Sequence, residues 1–195
     1  MLLTIRYFLA IIFVICLISC NWREYPSEKY IISEKYRDLI SSFKQGDTLK
    51  FQDDEGNLSL YLIPKIDSTL RDKRGHFINA REYKDITIEC HELTKTRPGY
   101  EDYHLIILHK DPETDSTRFH LRLKDFYSID RTLPFELQKD TVIANNISFT
   151  NYYFFRAYNY TEQKDPNSVS DIYMTNHDGI IAYRCLNGKW WTKAK

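Results

Sequence analysis

The chain has 195 residues, and its 27 lysines and arginines balance 27 aspartates and glutamates, so the formal net charge is zero. This balance, without any run of five like charges, excludes the basic surface of a nucleic-acid-binding protein and an electrostatic tail. Only six glycines and six prolines are present. No low-complexity linker divides the chain, which predicts a single folded domain.

The first predicted element is an apolar segment that ends at a cysteine. Residues 7–18 are all apolar or aromatic and follow Arg6. As a helix they would rise only ~18 Å, which is short of the ~30 Å hydrocarbon core of a bilayer. A positive start, a short apolar run and a small residue are typical of a secretory signal peptide. Residues 1–19 are therefore predicted to be a cleaved signal peptide rather than a permanent span.

The end of this segment, Leu17-Ile18-Ser19-Cys20, resembles the lipobox of bacterial lipoprotein signal peptides. The resemblance implies cleavage after Ser19 and attachment of a diacylglycerol and an N-acyl chain, such as palmitate, to Cys20. Several acyl chains anchor a protein stably, whereas one anchors it marginally. The alternative is an ordinary cleaved signal, or a short anchor, with Cys20 as an idle thiol.

A lipid on Cys20 implies a place in the bacterial cell envelope, anchored to a membrane. Asn21 follows the cysteine where an aspartate would signal retention in the inner membrane of enteric bacteria, which favours the outer membrane, on its periplasmic or its surface side. Residues 20–29 would then be the lipidated cysteine and a short tether. Residues 30–195 would form a single β-rich domain.

The tether leads into a predicted amphipathic helix, because apolar residues recur there at spacings of three and four. Ser27 or Ser33 would begin this helix and Gly46 would end it. The apolar residues that set the spacing are Ile32, Tyr36, Leu39, Ile40 and Phe43.

Beyond Gly46 the period of the apolar residues changes to two. The runs DTLKF and LSLYLI flank QDDEGN, whose acids and glycine are typical of a turn, so a β-hairpin is predicted. Asp53, Asp54 and Glu55 would be solvated carboxylates at this turn.

A second hairpin is predicted in the middle of the chain, where DPETDS separates YHLIILHK from TRFHLRLK. Pairing Lys110 with Thr117 gives one apolar face, and a slip of one residue would scramble it. The residues of that face are Ile106, Leu108, Phe119, Leu121 and Leu123. The other face would carry His109, Arg118, His120 and Arg122, with Leu105 and Ile107 among them. Two histidines could begin a metal site, but no third ligand is visible and the arginines would repel a cation, so no metal is predicted.

Residues 147–160, ISFTNYYFFRAYNY, are predicted to form one long strand that is aromatic on both faces. A strand buried on one side should be polar on the other. Either the strand lies between two layers, or its second face is a binding surface for a partner or ligand. The residues of that second face are Tyr152, Phe154, Arg156, Tyr158 and Tyr160.

Three further strands are predicted at the C-terminal end: DIYMT, IIAYRCL and KWWTK. Asn187-Gly188 would join the last two as a two-residue turn with positive φ at both positions. Together with DITIECHEL, these elements favour an all-β or β-rich α+β fold, namely an antiparallel barrel or sandwich of about eight to nine strands with one N-terminal helix. FKQGDTLKFQDDEGN with GIIAYRCLNGKWW is similar to small uncharacterised envelope lipoproteins of the Bacteroidota type, a resemblance that implies no activity.

Four cysteines are present, and removal of Cys16 and lipidation of Cys20 would leave Cys90 and Cys185 in an oxidising compartment. Either these two form a disulfide, or they remain buried thiols that pack as small hydrophobic groups.

No zinc-protease, nucleophile-elbow, dithiol or phosphate-loop motif occurs in the chain. No enzymatic activity is therefore predicted, and no cofactor apart from the covalent lipid. A non-catalytic binding or structural domain with an envelope protein as partner is favoured. The alternatives are a small-barrel carrier of an apolar ligand or lipid, which would need an open interior of ~300 Å³ or more, and, least favoured, an envelope hydrolase.

Overall fold

The computed structural model describes residues 30–73, 81–94, 102–112, 114–124, 126–127, 131–132, 136–157 and 165–194. The predicted signal peptide, the tether and Cys20 lie outside the described residues. Within those ranges no helix is both long enough and apolar enough to cross a membrane.

The described residues contain one α-helix, α1 (Glu34–Asp38), and a series of β-strands. The strands of the first half are β1 (Thr48–Gln52), β2 (Leu58–Leu62), β3 (Ile66–Lys73), β4 (Arg81–Glu92), β5 (Asp102–Asp111), β6 (Ser116–Leu123), β7 (Phe126–Tyr127) and β8 (Arg131–Thr132). Those of the second half are β9 (Val142–Ala144), β10 (Ile147–Phe149), β11 (Tyr153–Arg156), β12 (Val169–Thr175), β13 (Gly179–Cys185) and β14 (Trp190–Lys193).

Twelve of these strands form one curled antiparallel sheet in the order β11-β12-β13-β14-β1-β2-β4-β5-β6-β7, with β3 also paired to β4 and β8 to β6. Strands β9 and β10 form a separate two-stranded sheet. The predicted antiparallel β-rich class is confirmed. The strands outnumber the eight or nine predicted, because several are pieces of only two or three residues.

The predicted N-terminal helix is present but short. It begins directly after Ser33 and ends at Asp38, well before Gly46. Tighter turns continue from there, since the amides of Ile40 and Phe43 each bond to a carbonyl three residues earlier. The apolar side chains of this segment nevertheless pack as the spacing predicts, and those that are buried are Ile32, Leu39, Ile40 and Phe43.

Both predicted hairpins are confirmed. Strands β1 and β2 pair around the QDDEGN turn, and β5 pairs with β6 in the predicted register, Lys110 opposite Thr117. The five residues predicted for the apolar face of the second hairpin are fully buried. Leu105, which was expected on the opposite face, is fully buried as well. The reason is a bulge, because the pairing of β4 with β5 passes from Ile106 directly to His104 and leaves Leu105 without an opposite residue.

The long aromatic strand predicted over residues 147–160 is instead two strands, β10 and β11. Asn151 between them has a φ of 55°, a left-handed conformation that asparagine adopts more readily than most residues. The chain changes direction there, so β10 pairs with β9 whereas β11 pairs with β12. Residues 158–160 lie outside the described part of the chain.

The turn at Asn187-Gly188 also differs from the prediction. Gly188 has a φ of 83°, but Asn187 is not among the residues with positive φ. The amide of Gly188 donates to the carbonyl of Cys185, and the amide of Cys185 donates to the carbonyl of Lys189. This pattern is the longer hairpin loop in which a turn is followed by one left-handed glycine.

The main core covers the face of the sheet that we call the inner face. Its largest fully buried side chains include Phe51, Tyr61, Phe119, Phe155 and Tyr183. Phe51 contacts the rings of Tyr61 and Tyr183 with centroids 5.9 and 5.2 Å apart, and Phe119 stacks on Phe155 at 5.4 Å. The inner face is thus occupied by packed side chains.

Cys90 and Cys185 are buried separate thiols, the second of the two arrangements considered above. Cys90 lies in β4 and Cys185 in β13, and β14, β1 and β2 stand between these strands in the sheet. At ~4.8 Å per strand this separation is much longer than the ~7 Å that a disulfide spans between Cα atoms. Burial raises the pKa of the Cys185 thiol.

Candidate functional site

A group of aromatic and charged side chains lies on the outer face of β11–β14, opposite the main core. Alternation along β11 sends Phe155 inward and Phe154 and Arg156 outward. The register places Phe154 opposite Tyr173 and Arg156 opposite Asp171. We call the outward set the aromatic–arginine face, and its members are Phe154, Arg156, Asp171, Tyr173, Arg184 and Trp190.

Tyr173 is the centre of the aromatic part of this face. Its ring centroid lies 5.4 Å from that of Tyr152, 5.3 Å from that of Phe154 and 5.1 Å from that of Trp190. These distances are those of favourable aromatic pairs. Tyr173 is buried, but Phe154 and Trp190 are only half-buried, so two ring surfaces remain partly open to solvent.

Asp171 fixes the two arginines. Its carboxylate is completely buried and accepts hydrogen bonds from Nε of Arg156 at 3.0 Å and from Nε and Nη2 of Arg184 at 3.1 and 2.7 Å. Ser170 donates a further bond to it at 3.2 Å. A buried carboxylate requires such partners, because burial alone would strongly penalise its charge.

The two guanidinium groups are oriented towards solvent while the carboxylate is not. The side chain of Arg156 is 56% exposed and that of Arg184 is 36% exposed, against 0% for Asp171. Each guanidinium also lies over a ring, Arg156 over Phe154 at 5.3 Å and Arg184 over Trp190 at 5.6 Å. The face therefore presents positive charge beside aromatic surface, in a geometry held by the buried acid.

The predicted binding surface is only partly realised. Phe154 and Arg156 belong to the aromatic–arginine face, whereas Tyr158 and Tyr160 lie outside the described residues. Tyr152 is buried rather than on an open surface, with 4% exposure. Its backbone bridges to Gln138 and its hydroxyl donates to the Asp140 carboxylate at 2.9 Å, so the segment before β9 covers it. Burial and this bond raise the pKa of Tyr152 to about 12.

Four residues of the face were not predicted: Asp171, Tyr173, Arg184 and Trp190. A signal was available, because Asp171 and Arg184 are each the one charged residue of a strand. Charged residues are rarely buried unless they are paired. Two opposite charges in successive, otherwise uncharged strands therefore indicate a pair across the sheet.

A second polar cluster joins two turns at one end of the sheet. Lys189, after the turn between β13 and β14, lies 2.7 Å from Asp53 and 2.9 Å from Glu55 in the turn between β1 and β2. Asp53 was expected to be solvated, but its side chain is buried. Besides Lys189, the amide of Glu55 and both the amide and the side chain of Asn57 donate hydrogen bonds to its carboxylate, and these bonds replace the lost water. Burial raises the pKa of Asp53, yet the bonds from Lys189 and Asn57 outweigh it and hold the pKa at about 2.

The paired histidines predicted on β5 and β6 are on neighbouring strands as expected, and His109 contacts the Asp85 carboxylate through Nδ1 at 2.9 Å. In the ranges that the structure covers, no group of three or more histidine, cysteine or acidic side chains is arranged to hold a metal ion.

A cavity of about 430 Å³ lies between the segment around α1 and strands β3 and β4. Its apolar walls are Ile31, Ile32 and Ile86, and Arg37, Lys84 and Ser68 line the remainder together with Tyr30. This volume is in the range of small-molecule sites. Like the aromatic–arginine face, the cavity combines apolar groups with cations.

Comparison with models of protein families, with curated proteins and with solved structures finds no match for this chain. The chemistry of these two sites is therefore the basis on which a function can be assigned.

Proposed function

We propose that this chain is a lipid-anchored protein of the bacterial envelope whose β-domain, without catalysing a reaction, binds an acidic protein partner through the aromatic–arginine face. The lipobox resemblance at Leu17–Cys20 supports the anchor, and Asn21 supports the outer membrane as its location. One observation carries the binding role. Two half-exposed rings and two exposed guanidiniums are fixed around a buried carboxylate.

The composition of the face is typical of an interaction surface. Aromatic residues and arginine are enriched in protein interfaces and dominate their binding energy. The arginines are already held by Asp171, so little side-chain entropy would be lost on binding. The guanidiniums of Arg156 and Arg184 are both accessible to solvent and can accept a carboxylate of a partner, which favours an acidic partner.

The anchor is tested by labelling cells with a radioactive fatty acid. Wild-type protein should carry the label and Cys20→Ala should not, because the lipid is attached through a thioether to the sulfur of Cys20. Cys16→Ala is the matched control, since this cysteine lies in the segment that cleavage removes, and it should label as wild type does. An unlabelled wild type would contradict the lipid anchor.

The face is tested by placing the photo-crosslinking residue p-benzoylphenylalanine at single positions of the membrane-bound protein. Position 154, where the cross-linking residue replaces a ring and leaves both arginines in place, should give a cross-link to one acidic protein, and the yield should fall as salt screens the charges. Exposed Lys44 and Lys50, which do not belong to the face, serve as controls and should give none.

A charge reversal completes this test. Arg156→Glu should abolish the cross-link from position 154, whereas Lys50→Glu, which changes charge equally, should leave it intact. Equal cross-linking from positions 154, 44 and 50, or an unchanged cross-link in Arg156→Glu, would show that the face is not the binding surface.

The carrier alternative is supported by one different observation, the cavity of about 430 Å³. The inner face of the sheet is occupied by fully buried aromatic side chains, so a carried ligand would have to enter this cavity beside α1 instead.

A further inference from the structure

The cavity beside α1 has a distinctive distribution of charge. Arg37 reaches it from the helix and Lys84 from strand β4, and no carboxylate lines it. Neither cation forms an ion pair with any residue that the structure describes. The nearest acid along β3, Asp67, pairs with Lys65 at 3.0 Å instead. The polar side of the cavity is therefore a pair of cations with the hydroxyl of Ser68 beside them.

The other walls of the cavity are aliphatic. Ile32 is buried in the main core and Ile86 packs against it, whereas Ile31 is 57% exposed. A site with two cations on one side and branched aliphatic groups on the other matches a ligand that has an anionic head and an apolar body. Arginine and lysine both bind phosphate oxygens well.

The position of the cavity narrows the class of ligand. Ile31 follows Cys20 by eleven residues, which span at most ~40 Å when fully extended. If Cys20 carries the proposed anchor, the cavity is therefore held near a membrane surface, where phospholipid headgroups are the abundant anionic amphiphiles. This step rests on the proposed function, whereas the charge and shape of the cavity do not.

We propose that this cavity binds the phosphate of an anionic membrane phospholipid between Arg37 and Lys84, with the start of an acyl chain against Ile31 and Ile86. Such binding would hold the domain in one orientation on the bilayer, in addition to the attachment through the lipid on Cys20.

The test is native mass spectrometry of the full chain, extracted from membranes in a maltoside detergent and titrated with dioleoyl-phosphatidylglycerol. One lipid should bind, at least about tenfold more tightly than dioleoyl-phosphatidylcholine, because the choline cation of the latter offsets the charge of its phosphate and would be repelled by Arg37 and Lys84. The intact mass of the same sample reports whether Cys20 is lipidated. A failed anchor and a failed lipid site are therefore distinguished in one spectrum.

The double variant Arg37→Gln, Lys84→Gln should lose about tenfold or more of this affinity, and Arg37→Lys, Lys84→Arg should retain it because the charges remain. Lys44→Gln, Lys50→Gln removes the same charge outside the cavity and should bind as wild type does. Equal uptake of phosphatidylglycerol by the wild type and the double glutamine variant would overturn the proposal. Complete displacement of the lipid by an equal concentration of inorganic phosphate would also overturn it, because the cavity would then recognise a free anion.

Discussion

Strands β6 and β12 belong to the same sheet but are buried in different ways. Along β6 nearly every second residue is buried and those between are more exposed, whereas the first six residues of β12 are all buried. Strand β6 thus has one packed face, whereas β12 is packed on both faces. The difference shows that a second layer need not be a second large sheet.

The second layer over β12 is small and consists of two kinds of contact. The β9–β10 hairpin packs Val142 and Phe149 against a cluster centred on Tyr173. Asn145 at the tip of this hairpin donates to the carbonyls of Gln52 and Trp190, both at 3.2 Å. Among the described residues, the hydrogen bonds that join the β9–β10 hairpin, which we call the cover, to strands β1 and β14 come from this side chain.

The largest expected effect is on stability, and it compares a ring on the inner face of β11 with a ring on its outer face. Phe155→Ala should lower the free energy of unfolding by about 3–5 kcal/mol, as removal of a buried ring does, because Phe155 stacks on Phe119 in the main core. Phe154→Ala should cost only about 1–2 kcal/mol, since this ring is half-buried and loses mainly its contact with Tyr173. Urea denaturation of chains that begin at Asn21 measures both. Equal losses would mean that the outer face is as much a core as the inner one.

A smaller effect tests the attachment of the cover. Asn145→Ala should cost about 2 kcal/mol, because it removes both hydrogen bonds and places alanine at a φ of 48°. Asn145→Gly is the matched control, since glycine accepts this φ, and should cost about 1 kcal/mol less. Hydrogen exchange in β9 and β10 should increase in both variants while exchange in β6 is unchanged. Unaltered exchange in the hairpin would show that Asn145 does not hold it.

The smallest expected effect concerns the boundary between the two halves, where the Asp53–Lys189 pair lies. The folded pKa of Asp53, about 2, is below its ordinary value of 3.8, so the carboxylate stabilises the fold above pH 4. That contribution is lost as the pH falls from about 4 to about 2. The melting temperature of wild type should decrease over this window more steeply than that of Asp53→Asn. Parallel curves for the two proteins would indicate that the pair contributes nothing to stability.

The sequence allowed prediction wherever local pattern and pairing agreed. The register of β5 and β6 follows from two apolar runs, since a one-residue slip would expose Phe119 and Leu121. The break at Asn151 could not be predicted in the same way, because aromatic residues continue on both sides of it. The two pieces are separated by their different partners, because β10 pairs with β9 across the Asn145-Asn146 turn whereas β11 pairs with β12.

The candidate site was predictable to a similar degree. Phe154 and Arg156 were identified because they alternate within one strand. Their partners Asp171, Arg184 and Trp190 come from three other strands, and only the pairing order of the sheet brings them together. A face built across strands has no contiguous motif, although lone charges in buried strands indicate where to look.

The pairing of β1 with β14 has a consequence for the order of events in the cell. Phe51, near the start of the described residues, lies opposite Lys193, near the end of the chain. Strands β1 and β14 can therefore pair only after both have been synthesised, and contacts so distant in sequence form slowly. If the chain is exported as we propose, this slow closure keeps that part of the sheet open for longer before the chain is threaded through a translocation channel.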